Sequence, residues 1–288
     1  MRVIHLPDVE RRPRRVAIGA FDGVHLGHRA VIGDSDTVLT FEPHPSAVVA
    51  PANAPKLLTP LGVKASLVAA LGVEELVVID FDRAFAGRSA QEFIDDVLVE
   101  KLGAVALAVG ENFRFGHRAQ GDAAMLAADP RFETRVEPLV EVGEEIVSSS
   151  HIRGLVLAGE VAQAARLLGG PFELHGEVVA GDRRGRELGF PTANLVPDPA
   201  LVTPGHGVYA CLADARPAAV SIGVRPTFET GRGELIEAYL IDFAGDLYGH
   251  VLRLQFLERL RGERRFDTVE ALVAQMHDDV ARAREVCG

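Results

Sequence analysis

Apolar residues run along this chain in two rhythms, which change over near residue 170. In the first half they form short solid blocks: Val16-Ala17-Ile18, Val38-Leu39, Leu76-Val77-Val78-Ile79 and Ala104–Val109. Blocks this short suit strands buried on both faces rather than helices. We place strands at Val16–Phe21, Thr37–Phe41, Glu75–Phe81 and Ala104–Val109. Between them lie helical spacings. Leu61–Leu71 ends at Gly72, a C-cap signal. Ser89–Lys101 opens with Ser89 as N-cap and Glu92 as its capping-box partner, and ends at Gly103. Short helices are expected at Ile152–Leu157 and from Gly159 to Leu168.

Strands alternating with helices imply right-handed crossovers and a doubly wound parallel sheet, a Rossmann-like α/β domain. Ligands of such sheets bind beyond the carboxyl ends of the strands. The loops expected there are Asp22–His28, Pro43–Pro45 and Gly110–Gly116. In the second half the strands come closer together: Phe172–Val179, Gly207–Ala213, Ala218–Val224, Leu235–Ile241 and Val251–Leu260. That spacing suggests a small antiparallel β-barrel. A terminal helix follows from about Thr268 to Glu285, with Val269, Leu272, Val273, Met276 and Val280 at helical spacing. Gly169-Gly170-Pro171 marks the boundary, giving expected domains 1–169 and 170–288.

Composition narrows the class. The 288 residues suit two domains, and 48% hydrophobic with 25% charged residues is ordinary for globular cores. A net charge of −11 argues against a nucleic-acid-coating surface. No apolar run approaches the roughly 18 residues of a membrane helix, and Met1–Arg15 holds no apolar run of signal length. Cys211 and Cys287 are the only cysteines, too few for a zinc cage or a disulfide framework. A reducing cytoplasm is therefore expected. Nothing in the sequence decides whether the chain forms a homo-oligomer.

The densest chemistry lies in Gly19-Ala20-Phe21-Asp22-Gly23-Val24-His25-Leu26-Gly27-His28. Gly19, Gly23 and Gly27 let backbone approach a ligand closely. A helix N-terminus beyond them suits a phosphate. His25 and His28, three apart, can donate to phosphate oxygens as charge builds there. The same spacing also suits a metal pair or a plain helix face. Further along, Gly110-Glu111-Asn112-Phe113-Arg114-Phe115-Gly116 offers aromatics for a flat ring, although Phe113 and Phe115 also read as core-facing. Ser148-Ser149-Ser150-His151-Ile152-Arg153 combines a Ser-rich helix start with a guanidinium that can fork onto phosphate.

Gly19–His28 resembles the G-x-F-D-G-x-H-x-G-H motif of bacterial bifunctional riboflavin kinase/FAD synthetases. Gly110–Gly116 and Val147–Arg153 resemble two further segments of that family. So does Gly185-Arg186-Glu187-Leu188-Gly189-Phe190-Pro191-Thr192-Ala193-Asn194, the G-R-x-L-G-F-P-T-A-N stretch of riboflavin kinases. The resemblance extends from about Val16 to Glu285. It also takes in Ser221–Phe228, the I-G-x-R-P-T-F segment with Arg225 on the flavin side, and Gly245–Gly249 and Leu260–Phe266.

The resemblance implies riboflavin, FMN and ATP as substrates and FAD as product. In the first domain it implies ATP held by Gly19, Phe21, Asp22, Gly23, Asn112 and Phe113, with Ser149, Ser150 and Arg153 on the leaving pyrophosphate. His25 and His28 would act on the α-phosphate. In the second domain Gly181, Arg184 and Gly185 would form a flap over phosphates beside Pro191. Thr192 and Asn194 alternate, so on an extended segment they share a face. A hydroxyl and an amide oxygen make a hard neutral pair for Mg²⁺ held mainly by phosphates. Glu237 would be the general base, with Asp242 and Asp246 as competing carboxylates and a solvent-facing Glu as the bland alternative. A kinase with a degenerate adenylyltransferase half, or a non-catalytic flavin-binding protein, would be alternatives. One departure stands out: only Arg29–Asp36 separates His28 from the next strand, so the first helix should be about two turns long.

Overall fold

The computed structural model describes residues 1–180, 190–224 and 234–288. By compactness the chain divides into Met1–Ser149 and Ser150–Gly288.

The first unit is built on a six-stranded parallel sheet. Its elements are β1 (Arg2–His5), β2 (Arg14–Ile18), α1 (Leu26–Ile32), β3 (Thr37–Glu42), α2 (Pro45–Val49), α3 (Leu61–Ala69) and β4 (Glu75–Asp80). Then come α4 (Ala90–Glu92, continuing as a π-type helix Phe93–Leu102), β5 (Ala104–Gly110), the two-residue strands β6 (Arg114–Phe115) and β7 (Gly121–Asp122), and β8 (Glu133–Glu137). A small ribbon, β9 (Glu141–Val142) with β10 (Glu145–Ile146), follows. The sheet order is β1-β4-β3-β2-β5-β8.

Period-2 alternation sends Val16, Ile18, Leu39, Phe41, Val77 and Ile79 to one face, under α4. Ala17, Val38, Leu76, Val78 and Ala108 go to the other, under α1 and α3. Both faces are buried, which is why these strands read as solid apolar blocks. Ser89 and Glu92 form the expected capping box, and Gly103 ends α4 at φ 67°. Because β3, β2 and β5 are neighbours and parallel, the loops after them open at one sheet edge, as the sequence implied.

Besides the two-residue strands β6, β7, β9 and β10, three strands of the sheet and barrel are not signalled by the sequence. β1 has two apolar residues and β8 is mostly charged; both are edge strands that bury little. β12 starts inside the Pro-Thr-Ala-Asn run. β2 was expected to reach Phe21 but stops at Ile18, because the chain turns over at Gly19. α1 spans seven residues, the two turns expected.

In the second unit α5 (Ser149–Ala158, its first residue shared with the first unit) and α6 (Val161–Leu168) lead into the barrel. Its strands are β11 (Phe172–Val179), β12 (Ala193–Pro197), β13 (Gly207–Ala213), β14 (Arg216–Val224), β15 (Glu234–Leu240) and β16 (Val251–Arg261). They close in the order β11-β12-β15-β14-β13-β16, every pairing antiparallel. α7 (Val269–Cys287), capped by Thr268, packs on β13 and β14. α6 packs on β11 and β16, so Gly169-Gly170-Pro171 is the turn that feeds α6 into the barrel.

Candidate functional site

The turn between β2 and α1 is held by hydrogen bonds between side chains and backbone. Asp22 is buried, and its Oδ1 accepts from the amides of Leu58 at 2.8 Å and Thr59 at 3.1 Å. Gly23 N donates back to Thr59 Oγ1 at 3.0 Å. Ser149 Oγ donates to the Asp22 carbonyl at 2.9 Å. Phe21, Gly23 and Val24 have φ of 50°, 91° and 42°. For Phe21 and Val24 this costs about 1–3 kcal/mol each. Full burial of Phe21 and Val24 offsets it by about 1.5–3 kcal/mol each. Gly19 lets the Phe21 ring pack closely: a Cβ there would sit 3.0 Å from it. Asp22 and Ser149, expected as ligands, thus carry contacts that shape the turn.

His25 is the N-cap of α1, and its Nδ1 accepts from His28 N at 3.2 Å. That leaves the proton on Nε2. The rings of His25 and His28 stack with centroids 3.5 Å apart and planes 15° apart. Phe21 meets His28 edge-on at 5.2 Å. Burial pulls His25 down to about 4. It pulls His28 well below the usual 6.5, helped by His25 and Lys64. Both are therefore neutral donors at pH 7, which sharpens the sequence reading: they offer N–H groups rather than positive charge. His28 Nδ1 is buried without a hydrogen-bond partner among the described residues.

A basic side chain lies close to this pair at a position the sequence does not single out. Lys64 on α3 is 5% exposed, and its Nζ donates to Thr40 Oγ1 at 3.4 Å. Thr40 in turn donates to the Ala20 carbonyl at 3.1 Å. Burial lowers the Lys64 pKa, while Asp22 and Glu42 oppose that shift. The one available signal was register: Lys64 is four residues before buried Val68, on the apolar side of α3.

The remaining first-unit candidates divide. Asn112 is exposed, and Phe113 is half-buried and stacked on Phe115 with centroids 5.6 Å apart. Phe115 is a core residue against Phe93. The helix expected from Ile152 starts at Ser149, so Ser149 and Ser150 lie in its first turn and Arg153 one turn on.

In the barrel, Asn194 of β12 and Glu237 of β15 are direct register partners. Leu195 and Ile236 beside them point inward, so Asn194 and Glu237 share the outer face. Asn194 is buried, and its Oδ1 has no hydrogen-bond partner among the described residues. An orphaned amide oxygen on the register partner of Glu237, with Thr192 two residues back, suits a hard divalent cation. Phe190 anchors this stretch, meeting Tyr239 edge-on at 5.3 Å and His277 of α7 at 5.0 Å. Nearby motifs also converge: a Cβ on Gly223 would lie 2.7 Å from Glu263 Oε1. Pro191 is exposed. Gly181, Arg184, Gly185 and Arg225 lie outside the described residues.

Comparison with known proteins relates both units to known families. Residues 168–287 match the riboflavin kinase family model, and residues 8–151 match the FAD synthetase model. A bifunctional riboflavin kinase/FMN adenylyltransferase of Listeria monocytogenes is 37% identical over 281 residues, covering 92% of this chain and 89% of that protein. Its counterpart in Escherichia coli K12 is 39% identical over 292 residues, covering 95% and 92%. A crystal structure described as a macrolide-efflux protein from Streptococcus pneumoniae superposes with TM-score 0.88 at 30% identity, over 98% of each chain. Among the described residues of the present chain, no helix is long and apolar enough to cross a membrane.

Proposed function

Given that this chain belongs to the family of bifunctional riboflavin kinase/FMN adenylyltransferases, we propose that residues 1–169 perform the adenylyl transfer and residues 170–288 the phosphorylation. The chain phosphorylates riboflavin to FMN and adenylylates FMN to FAD, using ATP in both steps. The observation that carries the division is that the central residues of the two sites lie in different compact units, with Ser150 and Arg153 of the adenylyl group at the start of the second. His25, His28 and Lys64 are in the first; Thr192, Asn194 and Glu237 are in the second.

In the kinase step Glu237 accepts the proton of the riboflavin 5′-hydroxyl as that oxygen bonds to the γ-phosphorus of ATP. The bond from that phosphorus to ADP breaks, and ADP leaves. Thr192 and Asn194 would hold Mg²⁺, which when bound supplies charge neutralisation to the phosphates. The orphaned Asn194 oxygen supports this reading. Gly181, Arg184, Gly185 and Pro191 would close over the nucleotide, and Arg225 would lie on the flavin side.

In the adenylyl step the FMN phosphate attacks the α-phosphorus of ATP, and pyrophosphate leaves. No protein nucleophile or base is needed. Neutral His25 and His28 donate N–H groups to the α-phosphate as its charge grows, and Lys64 adds fixed positive charge beneath them. Gly19, Phe21, Asp22 and Gly23 shape the wall of the ATP site. Asn112 and Phe113 would contact the base or flavin, and Ser149, Ser150 and Arg153 the leaving pyrophosphate. The absence of any long apolar helix among the described residues and the two free cysteines support a cytoplasmic setting.

The test is product analysis. Glu237→Ala should abolish FMN formation from riboflavin but leave FAD formation from supplied FMN, and His28→Ala should do the reverse. Parallel loss of both activities in a folded variant would refute this assignment.

A further inference from the structure

The helix that carries the two histidines is short, and its carboxyl end has an unusual partner. The last four carbonyls of any α-helix lack partners within it. In α1, Arg29 O accepts from Gly33 N and Ile32 O accepts from Ser35 N, each at 2.9 Å. Ala30 O and Val31 O remain, and one guanidinium takes both. Arg135 Nη1 donates to Ala30 O at 3.2 Å, and Nη2 donates to Val31 O at 2.9 Å.

Arg135 lies on the edge strand β8, opposite Ala108 of β5. Ala108 belongs to the same apolar core as Val31 and Ile32, so β8 reaches α1 across that face. The charge sits at the negative end of the α1 dipole. Glu137, on the same side of β8, pairs with Nη1 and holds the fork. Gly33, at φ 47°, makes room: a Cβ there would lie 2.5 Å from Arg135 Nη2.

His25 and His28 occupy the cap and first turn at the other end of these seven residues. A helix this short has no spare turn to absorb a tilt, so the orientation of its last carbonyls sets the aim of its first turn. We infer that Arg135, seated against Gly33, is a positioning residue for adenylyl transfer, clamping α1 so that His25 and His28 face the reacting phosphate. The inference rests on the reading of the Gly19–His28 turn as the ATP site.

The experiment compares Arg135→Met, Arg135→Lys, Gly33→Ala and the double variant Gly33→Ala/Arg135→Met in the full-length protein. FAD formation from FMN and FMN formation from riboflavin are followed separately, with ATP varied. Arg135→Met should lower kcat for FAD formation roughly tenfold to a hundredfold, the scale of a misplacement near 1 Å. Its KM for ATP should move little, and FMN formation should not change. Arg135→Lys should recover part of the rate, because an ammonium cannot fork onto two carbonyls. Gly33→Ala should imitate Arg135→Met, and the double variant should be no worse than either single one. A merely structural role would lower the melting temperature without changing kcat per folded molecule.

Wild-type FAD kinetics in a folded Arg135→Met would overturn the clamp. So would losses that multiply in the double variant, or an equal fall in FMN formation. Should Arg135→Met not fold, Arg135→Lys and Gly33→Ala are held to the same outcomes. His28→Ala run alongside separates the two readings. If it leaves FAD formation intact, the site reading fails. If it abolishes FAD formation while Arg135→Met does not, only the clamp fails.

Discussion

Asn194 and Glu237 face each other across one antiparallel register, on the outer surface of the barrel. Asn194 Oδ1 has no hydrogen-bond donor among the described residues. Replacing it with a larger apolar group should therefore weaken Mg²⁺-ATP rather than the fold. Asn194→Leu is expected to raise the Mg²⁺ concentration needed for half-maximal FMN formation at least tenfold, and Glu237→Ala to lower kcat by about 10²–10⁴. Steady-state FMN production over a Mg²⁺ titration measures both. An unchanged Mg²⁺ requirement in Asn194→Leu would remove this residue from the cation site.

His25 and His28 give a pH signature. His25 is held near 4 against an ordinary 6.5, and His28 is also shifted down. Groups with lowered values stay neutral in the folded protein while the unfolded chain takes up protons. Stability is therefore complete above pH 6.5 and falls as the pH drops from 6.5 toward 4. For His25 the loss is on the order of 3 kcal/mol. Thermal unfolding of the first unit should show it, and His25→Asn should flatten the dependence between pH 6.5 and 4.5. FAD formation should show no inflection near pH 6.5 from the free enzyme.

Lys64 separates stability from activity. Its ammonium is buried beside Thr40, and burial disfavours its charged form. Lys64→Met removes that desolvation cost, so the melting temperature should hold or rise. The same change removes the fixed charge under the histidines, and FAD formation should fall about tenfold to a thousandfold with FMN formation untouched. A Lys64→Met enzyme with full FAD activity would show that this charge serves the fold alone.

Glu75 should behave in the opposite sense. At the amino-terminal end of the sheet its carboxylate receives Arg14 Nε and Arg12 Nη2, each at 2.9 Å, with Arg2 also paired to it. Burial would push its pKa up, but the hydrogen bond and charge of Arg14, then Arg12, outweigh burial and hold it below the usual range. This contribution is present above the unfolded carboxylate's pKa and is lost as pH falls through the folded value. Glu75→Ala strands a buried Arg14 and should cost about 3–5 kcal/mol. That is a fall of roughly 6–20 °C in melting temperature by calorimetry. Rates per folded molecule at 25 °C should be unchanged.

What could be read from sequence follows from how much each feature repeats. Solid apolar blocks, a Ser89–Glu92 capping box and closely spaced barrel strands are periodic or local signals, and they located the sheet and the barrel. His25 with His28 was legible because spacing on a turn says which side chains share a side. Lys64, Arg135 and Asp22 were not legible in their roles. Each acts through a contact made far along the chain: Lys64 on Thr40, Arg135 on Ala30 and Val31, Asp22 on Leu58 and Thr59. No residue pattern near them encodes the partner. Asp22 beside Gly23 reads as a ligand, yet its carboxylate is engaged by backbone.

The open sheet also has ends, whereas the barrel closes on itself. One end is β8, where Glu133, Arg135 and Glu137 occupy every second position. A strand docking there would have to desolvate an acid–base–acid row, with the middle charge already committed to α1. The other end is β1, four residues long with Arg2 and His5 at its limits. A crowded solution of this enzyme therefore meets sheet margins that repel templated growth, and the guanidinium that steadies a helix also discourages fibre formation.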